Sequence, residues 1–200
     1  MLKRLLHHVV SIPWVFDCVQ GLVDGTKVRH RLASQLAQIR PSAVIVDIGG
    51  GTGAYRHLCP PNSRYICLDT DWFKLRGHIR KHGEGLVILS DGRRCPLKSS
   101  SVDAVLCTKV SHHLSEQVLA EVIVESRRIL KPKGEYIFLD AVWAPARWIG
   151  RLLWKYDRGS SPRTAQTLRT AVLHEFELAQ DDQFSVYHEY LLLRGTKKEG

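Results

Sequence analysis

The stretch Ala43-Val44-Ile45-Val46-Asp47-Ile48-Gly49-Gly50-Gly51-Thr52-Gly53-Ala54 restricts the fold more than any other part of the chain. An apolar run leads into an acid, and four glycines then fall within five positions. A short apolar run bounded by glycine reads as a buried strand, and a glycine turn at its end lets a ligand touch the main chain. With no Cβ at 49, 51 and 53 the backbone can bend sharply, and a cofactor can lie against it near the first turn of the next helix.

Two cofactor classes use such a turn. The dinucleotide fingerprint G-x-G-x-x-G/A is met loosely by Gly49, Gly51 and Ala54, and Asp69 stands twenty residues beyond Gly49, where a ribose-binding acid belongs. Asp47 argues the other way. It lies two residues before the first glycine, and a carboxylate aimed into the turn repels a pyrophosphate but attracts a sulfonium or an amino group. The D-x-G-x-G-x-G spacing of Asp47, Gly49, Gly51 and Gly53 resembles motif I of the class I S-adenosylmethionine-dependent methyltransferases. A glycine turn that holds no ligand is the bland alternative.

Further segments extend that resemblance. After a helix expected over about 53–59, closed by Pro60-Pro61, the run Arg64 to Asp69 reads as a second strand. Gly85 to Ser90 read as a third, ending in Asp91-Gly92, and Ser101 to Thr108 resemble the family's fourth strand. Ser115 suits the N-cap of a helix to about 130, and Glu135 to Ala141 read as the fifth strand. The run Arg128-Ile129-Leu130-Lys131-Pro132-x-Gly134 between them resembles the family's R-x-L-K-P-G-G junction. His112-His113-Leu114 resembles the same position in the small-molecule branch called type 11. The resemblance covers about residues 43–141, in the right order.

It implies an α/β fold, a Rossmann-like doubly wound seven-stranded sheet, mostly parallel with one antiparallel strand, behind an N-terminal helical cap. It also implies roles. Asp47 with Gly49, Gly50, Gly51 and Gly53 would hold the methionine end of S-adenosyl-L-methionine, and Asp69 the ribose hydroxyls. Thr70, Asp71 and Trp72 would lie near adenine, with a helix-cap or core role the alternative for Asp71 and Trp72, and Asp91-Gly92 would meet the adenine amine unless they form a plain Asp-Gly turn. Lys109 to His113 would reach the cofactor's rim, where His112 or His113 serves as general base or simply closes the pocket.

The remaining segments frame this core. Two hundred residues suit a single domain, divided as a helical cap over 1–40, the cofactor core over 43–141, a helical lid over 145–174 and a closing strand pair over 176–194. Cap helices are expected at 2–10, 14–23 and 26–39. Arg147, Arg151, Lys155 and Arg158 form a basic stripe beside Trp148, Ile149, Leu152, Leu153 and Tyr156, which suits a helix lying on an anionic membrane, a lid for a lipid-like substrate, or an ordinary surface helix. Ser161-Pro162 suits the start of a last helix to about 174, and Gln180 to Gln183 the turn between two closing strands at 176–179 and 184–194.

The net charge of +9 favours anionic partners without choosing among them. Five scattered cysteines without C-x-x-C spacing argue against a disulfide framework or metal site and for a reducing cytoplasm; no run is long enough to span a bilayer, and the interrupted N-terminal apolar run reads as mature protein rather than a leader. The expected function is methyl transfer to a small-molecule or lipid-like acceptor, with peripheral contact to an anionic membrane. Nucleic-acid methylation is the runner-up, disfavoured by the absence of N-P-P-[YF] or a Pro-Cys nucleophile. A non-catalytic cofactor or lipid binder and a nicotinamide oxidoreductase are the other classes. Acceptor and oligomeric state have no signal in the sequence.

Overall fold

The computed structural model describes residues 26–83, 85–156 and 161–198. The helices expected at 2–10 and 14–23 lie outside these. Within them a helix over residues 26–36 (α1) leads to β1 (Val44–Ile48), β2 (Arg64–Asp69), α2 (Trp72–His82), β3 (Leu86–Leu89) and β4 (Val102–Thr108). Then follow α3 (Glu116–Ile129), β5 (Leu130–Val142), α4 (Trp148–Tyr156), α5 (Ala165–Glu175), β6 (Phe176–Ser185) and β7 (Glu189–Lys197). The seven strands form one sheet in the order β3-β2-β1-β4-β5-β7-β6. β1 to β5 pair in parallel, and β7 runs antiparallel between β5 and β6.

Alternation along the strands sends side chains to two apolar layers. On one face Ile45, Ala104, Leu106, Ile137 and Leu192 meet Val28, Leu32 and Leu36 of α1 and Leu75 of α2. On the other, Val46, Val105, Phe138 and Leu193 meet Leu119, Val122 and Ile123 of α3 and Leu168 and Val172 of α5. Each Val, Leu, Ile or Phe among them contributes about 1.5–3 kcal/mol by leaving water. Polar ties fix the strand ends. Asp103 accepts from Val44 N, Arg40 and Lys131, and although burial pushes its carboxyl up, these partners win and bring it to about 2. Arg128 of the junction motif forks onto Glu125 and the carbonyls of Cys95 and Leu97, which pins the loop before β4.

Four local expectations are corrected. The glycine turn is followed by turns and a single 3-10 turn at Arg56–Leu58 rather than a helix over 53–59, because Gly53 has φ +72°, outside the helical region. Residues 131–134 belong to β5, with Lys133 at φ +61° making an irregular segment before the regular ladder. Thr164, accepting from Thr167 N, caps the last helix in place of Ser161. The final hairpin turns at 186–188, while Gln180 to Gln183 lie inside β6, where Asp181 pairs with Arg169 at 2.9 Å and Asp182 with Arg31.

Candidate active site

The carboxyl edge of the sheet collects the residues of interest, on both sides of the β1–β4 junction where the strand order reverses direction. That junction is where open α/β sheets bind ligands. On the β1 side, Gly49 N and Gly50 N donate to Leu68 O at 2.7 and 3.2 Å, which ties the glycine turn to β2. Gly49, Gly51 and Gly53 have φ of +71°, +55° and +72°. Only glycine takes that region without strain. A Cβ at Gly49 would also sit 2.1 Å from Val110 Cγ2, so the turn is pressed against the loop after β4.

Asp69, buried at the tip of β2, accepts from Gly51 N at 3.0 Å through Oδ2 and from Asp71 N at 2.8 Å through Oδ1. Each carboxylate oxygen has a second lone pair, so two ribose hydroxyls can still donate to it. Thr70 is exposed. Asp71 caps α2 by accepting from Phe73 N and Lys74 N, and Trp72, 47 % exposed, opens that helix.

Asp47 lies beneath the turn. It is buried, Tyr65 donates its hydroxyl to Oδ2, and Oδ1 has no partner among the described residues. Burial pushes its carboxyl up to about 7, the Tyr65 hydrogen bond opposes this, and Asp69 adds to it. A buried acid with an unsatisfied oxygen under a turn of left-handed glycines suits a ligand that brings positive charge. The ammonium and sulfonium of S-adenosylmethionine do so; a pyrophosphate would add repulsion. The same acid carries a cost without ligand. Because its folded value lies above the usual 3.8, stability falls as pH rises from about 4 through 7. Asp47→Asn keeps an acceptor for Tyr65 and should stabilise the unliganded protein by about 1–3 kcal/mol at pH 8, by less than half of that at pH 5 and by little at pH 3, read by thermal unfolding. A gain independent of pH would contradict that titration.

Asp91 turns both carboxylate oxygens to Arg93, with Nη2 at 2.7 Å, and this ion pair holds its carboxyl below the usual range. An adenine amine would share it with Arg93. Gly92 is buried, and a Cβ there would approach Ile48 Cγ2 to 2.6 Å.

On the β4–β5 side the loop after β4 brings a second group together. Lys109, at φ +57°, donates its N–H to Leu139 O at 2.7 Å, and its ammonium lies 5.9 Å from the Tyr190 ring centre. His112 is buried, and its Nδ1 lies 2.7 Å from Oδ1 of the fully buried Asp140 on β5. Burial raises the Asp140 carboxyl, yet His112, Ser111 Oγ at 2.6 Å and Ala141 N at 2.8 Å outweigh it and hold it below its usual value. An ionised carboxylate only accepts, so Nδ1 is the donor. Trp154 of α4 meets the His112 ring edge-on at 5.6 Å and His188 at 5.2 Å, and the His113 ring centre is 4.1 Å from that of His112, with His113 exposed. Buried Arg163 braces the loop, donating to Ser111 O, Leu114 O and Glu116. Tyr65, Asp140, Trp154, Arg163 and His188 carry no motif of their own; strand pairing, the α4 helix and the loops after it bring them to this edge.

A family model described as a methyltransferase domain matches residues 46–138, from β1 through the glycine turn and the histidine loop into β5. Over those residues the chain matches a methyltransferase domain, on the class I methyltransferase fold. The family's methyl donor is S-adenosylmethionine. Among curated methyltransferases, the chain is 30 % identical over 120 residues to the probable tRNA methyltransferase 9B of Bos taurus, across 60 % of this chain and 25 % of that one. It is 28 % identical over 149 residues to the ubiquinone/menaquinone biosynthesis C-methyltransferase UbiE of Cupriavidus necator, across 68 % and 60 %. The chain thus spans a quarter to three-fifths of the length of these relatives. Among solved structures, the putative methyltransferase in complex with the Haloferax volcanii Trm112 methyltransferase activator superposes with a TM-score of 0.70 at 18 % identity, covering 95 % of this chain and 99 % of that one. The chain thus has that protein's fold nearly end to end. Among its described residues no helix is long and apolar enough to cross a membrane, and no His/Cys/Asp/Glu cluster fits a metal ion.

Proposed function

We propose that this S-adenosylmethionine-dependent methyltransferase domain moves a methyl group onto a small lipid-like acceptor taken from an anionic membrane surface. Asp47 and the glycine turn receive the methionine end, Asp69 the ribose, and Thr70, Trp72, Asp91 and Gly92 surround adenine. Lys109, His112 and His113 line the acceptor side. S-adenosylmethionine supplies an electrophilic methyl group; the chain's own part is to hold the attacking atom in line with it and keep water out.

One observation carries the acceptor reading: α4 is apolar on two faces. Inward, buried Trp154 reaches His112 and His188. Outward, Trp148 is 71 %, Leu152 49 % and Ile149 38 % exposed, with exposed Arg151 and Lys155 beside them. A helix with exposed tryptophan and leucine flanked by cations suits the interface of an anionic bilayer, and here its other side packs against His112 and His188. The quinone-biosynthesis relative supports a small acceptor, whereas the tRNA methyltransferase relative and the net charge of +9 favour RNA. Methyl-labelled S-adenosylmethionine should label a solvent-extractable lipid when the protein is given total lipid extract, and not tRNA. The variant Trp148→Glu/Leu152→Glu should lose binding to phosphatidylglycerol vesicles while still binding S-adenosylhomocysteine. Label in tRNA, or vesicle binding unchanged in the variant, would overturn the reading.

A further inference from the structure

We infer that Tyr65 and His78 are positioning residues for the methyl donor: stacked on each other under the glycine turn, they hold the Asp47 carboxylate in one orientation directly beneath Gly50. This rests on the methyl-donor reading above and adds to it that donor binding there is coupled to the loss of a proton.

The pairing of β1 with β2 sets the arrangement. Tyr65 stands opposite Ile45 and Cys67 opposite Asp47, so Tyr65 and Asp47 are diagonal neighbours on one face of the sheet. A diagonal neighbour is within reach of an aromatic side chain. The buried Tyr65 leans along the strand and donates its hydroxyl to Asp47 Oδ2. The carboxyl it holds lies just under the turn, since a Cβ at Gly50 would sit 2.8 Å from Asp47 Oδ2 and 2.9 Å from Cys67 Sγ.

His78 of α2 holds the tyrosine ring in turn. It is fully buried, with its ring centre 5.8 Å from that of Tyr65 and the two planes 2° from parallel. Such a separation is that of an offset stack. A Cβ at Gly53 would collide with His78 Nδ1, and one at Gly85 would lie 3.3 Å from Nε2, so the turn closes directly on this ring. Neither ring nitrogen has a hydrogen-bond partner among the described residues. A buried polar ring without a partner is a cost to the fold. What the imidazole supplies is a flat surface, thin enough for the glycine turn to lie against, that keeps Tyr65 in place.

The charges around the stack give it a consequence for binding. Burial, and then His82, Arg56 and Lys81, bring the His78 imidazole down to about 4, so the stack is neutral at pH 7. Asp47 is faced by Tyr65 and Cys67 from β2, Asp69 at the tip of β2, Cys107 from β4, and Tyr55 and Cys59 after the turn. None of these is a cation, and burial pushes the Asp47 carboxyl up to about 7 against the Tyr65 hydrogen bond. An ammonium brought by the donor favours the carboxylate form. It therefore expels the proton from whatever fraction of Asp47 still carries one, and that proton passes to water. Tyr65 sets how large the fraction is.

Calorimetry with S-adenosylhomocysteine in two buffers of different ionisation enthalpy should show release of about half a proton per site at pH 7. Affinity should rise by up to roughly tenfold per pH unit between 5 and 7 and level off by about pH 8. Tyr65→Phe keeps the ring and its stack but not the donor. It should weaken binding at pH 7 by about 3- to 30-fold and move the levelling-off about one unit higher. His78→Leu, which removes the stack, should weaken binding by about 2- to 10-fold. In an Asp47→Asn background the proton release should vanish and Tyr65→Phe should cost nothing further, whereas a tyrosine that only supports the fold would cost the same in both backgrounds. Equal losses in the two backgrounds, or binding with neither proton release nor a shifted profile in Tyr65→Phe, would overturn this inference alone. No binding of S-adenosylhomocysteine at any pH would overturn the methyl-donor reading beneath it.

Discussion

Asp69→Ala is expected to weaken S-adenosylhomocysteine binding by about 30- to 1000-fold, with folding largely preserved. The carboxylate is the one acceptor at the tip of β2 that meets both the glycine turn and the start of α2, at 3.0 Å from Gly51 N and 2.8 Å from Asp71 N. Two ribose hydroxyls donating to an ionised oxygen are worth about 1.5–3 kcal/mol each, of which roughly 2–4 kcal/mol should be lost once water replaces the missing group. Titration calorimetry measures this directly. Asp69→Asn separates two contributions, because its amide oxygen can still accept from Gly51 while its NH₂ opposes Asp71 N–H. It should fall between wild type and alanine. Affinity unchanged in Asp69→Ala would remove the ribose role from this residue.

Gly49→Ala carries the second large effect, and it acts on the fold. The new methyl meets two obstacles: a backbone at φ +71° and Val110 Cγ2 at 2.1 Å. A left-handed conformation costs an L-residue roughly 1–2 kcal/mol, and forcing a methyl into a filled space typically costs about 1–3 kcal/mol more. A loss of about 2–4 kcal/mol should lower the melting temperature by roughly 4–16 °C in a chain of this size. Val110→Ala in the same chain removes the atom that is struck, so the double variant should be more stable than the sum of the single effects. Additive effects would show that the turn and the histidine loop are not in contact.

The parts of this site that the sequence discloses are those made within one segment. Asp47, the glycines and Asp69 sit at the ends of short apolar runs, and a strand followed by a left-handed turn leaves a local signature. Asp140 leaves none. It follows Tyr136-Ile137-Phe138-Leu139 in an ordinary buried strand, and only the β4–β5 register brings it against His112. Arg163 is equally silent, because its partners are main-chain carbonyls some fifty residues earlier. The misplaced hairpin turn has a related cause. Gln180-Asp181-Asp182-Gln183 is polar because β6 is the sheet's edge and its acids pair with Arg169 and Arg31, whereas the real turn, Val186-Tyr187-His188, holds no glycine, proline or asparagine. The helix expected over 53–59 fails for a local reason: three left-handed glycines in five residues leave only residues 54–59 before Pro60, and a single 3-10 turn forms there.

The most direct test of the central claim, that an acid beneath a glycine turn here receives a positively charged methyl donor rather than a pyrophosphate, is a calorimetric titration of the wild-type protein at pH 7 with S-adenosylhomocysteine and, separately, with NAD. One saturable site for S-adenosylhomocysteine and no saturation with NAD is the expected result. Saturation with NAD and no heat from S-adenosylhomocysteine would contradict it.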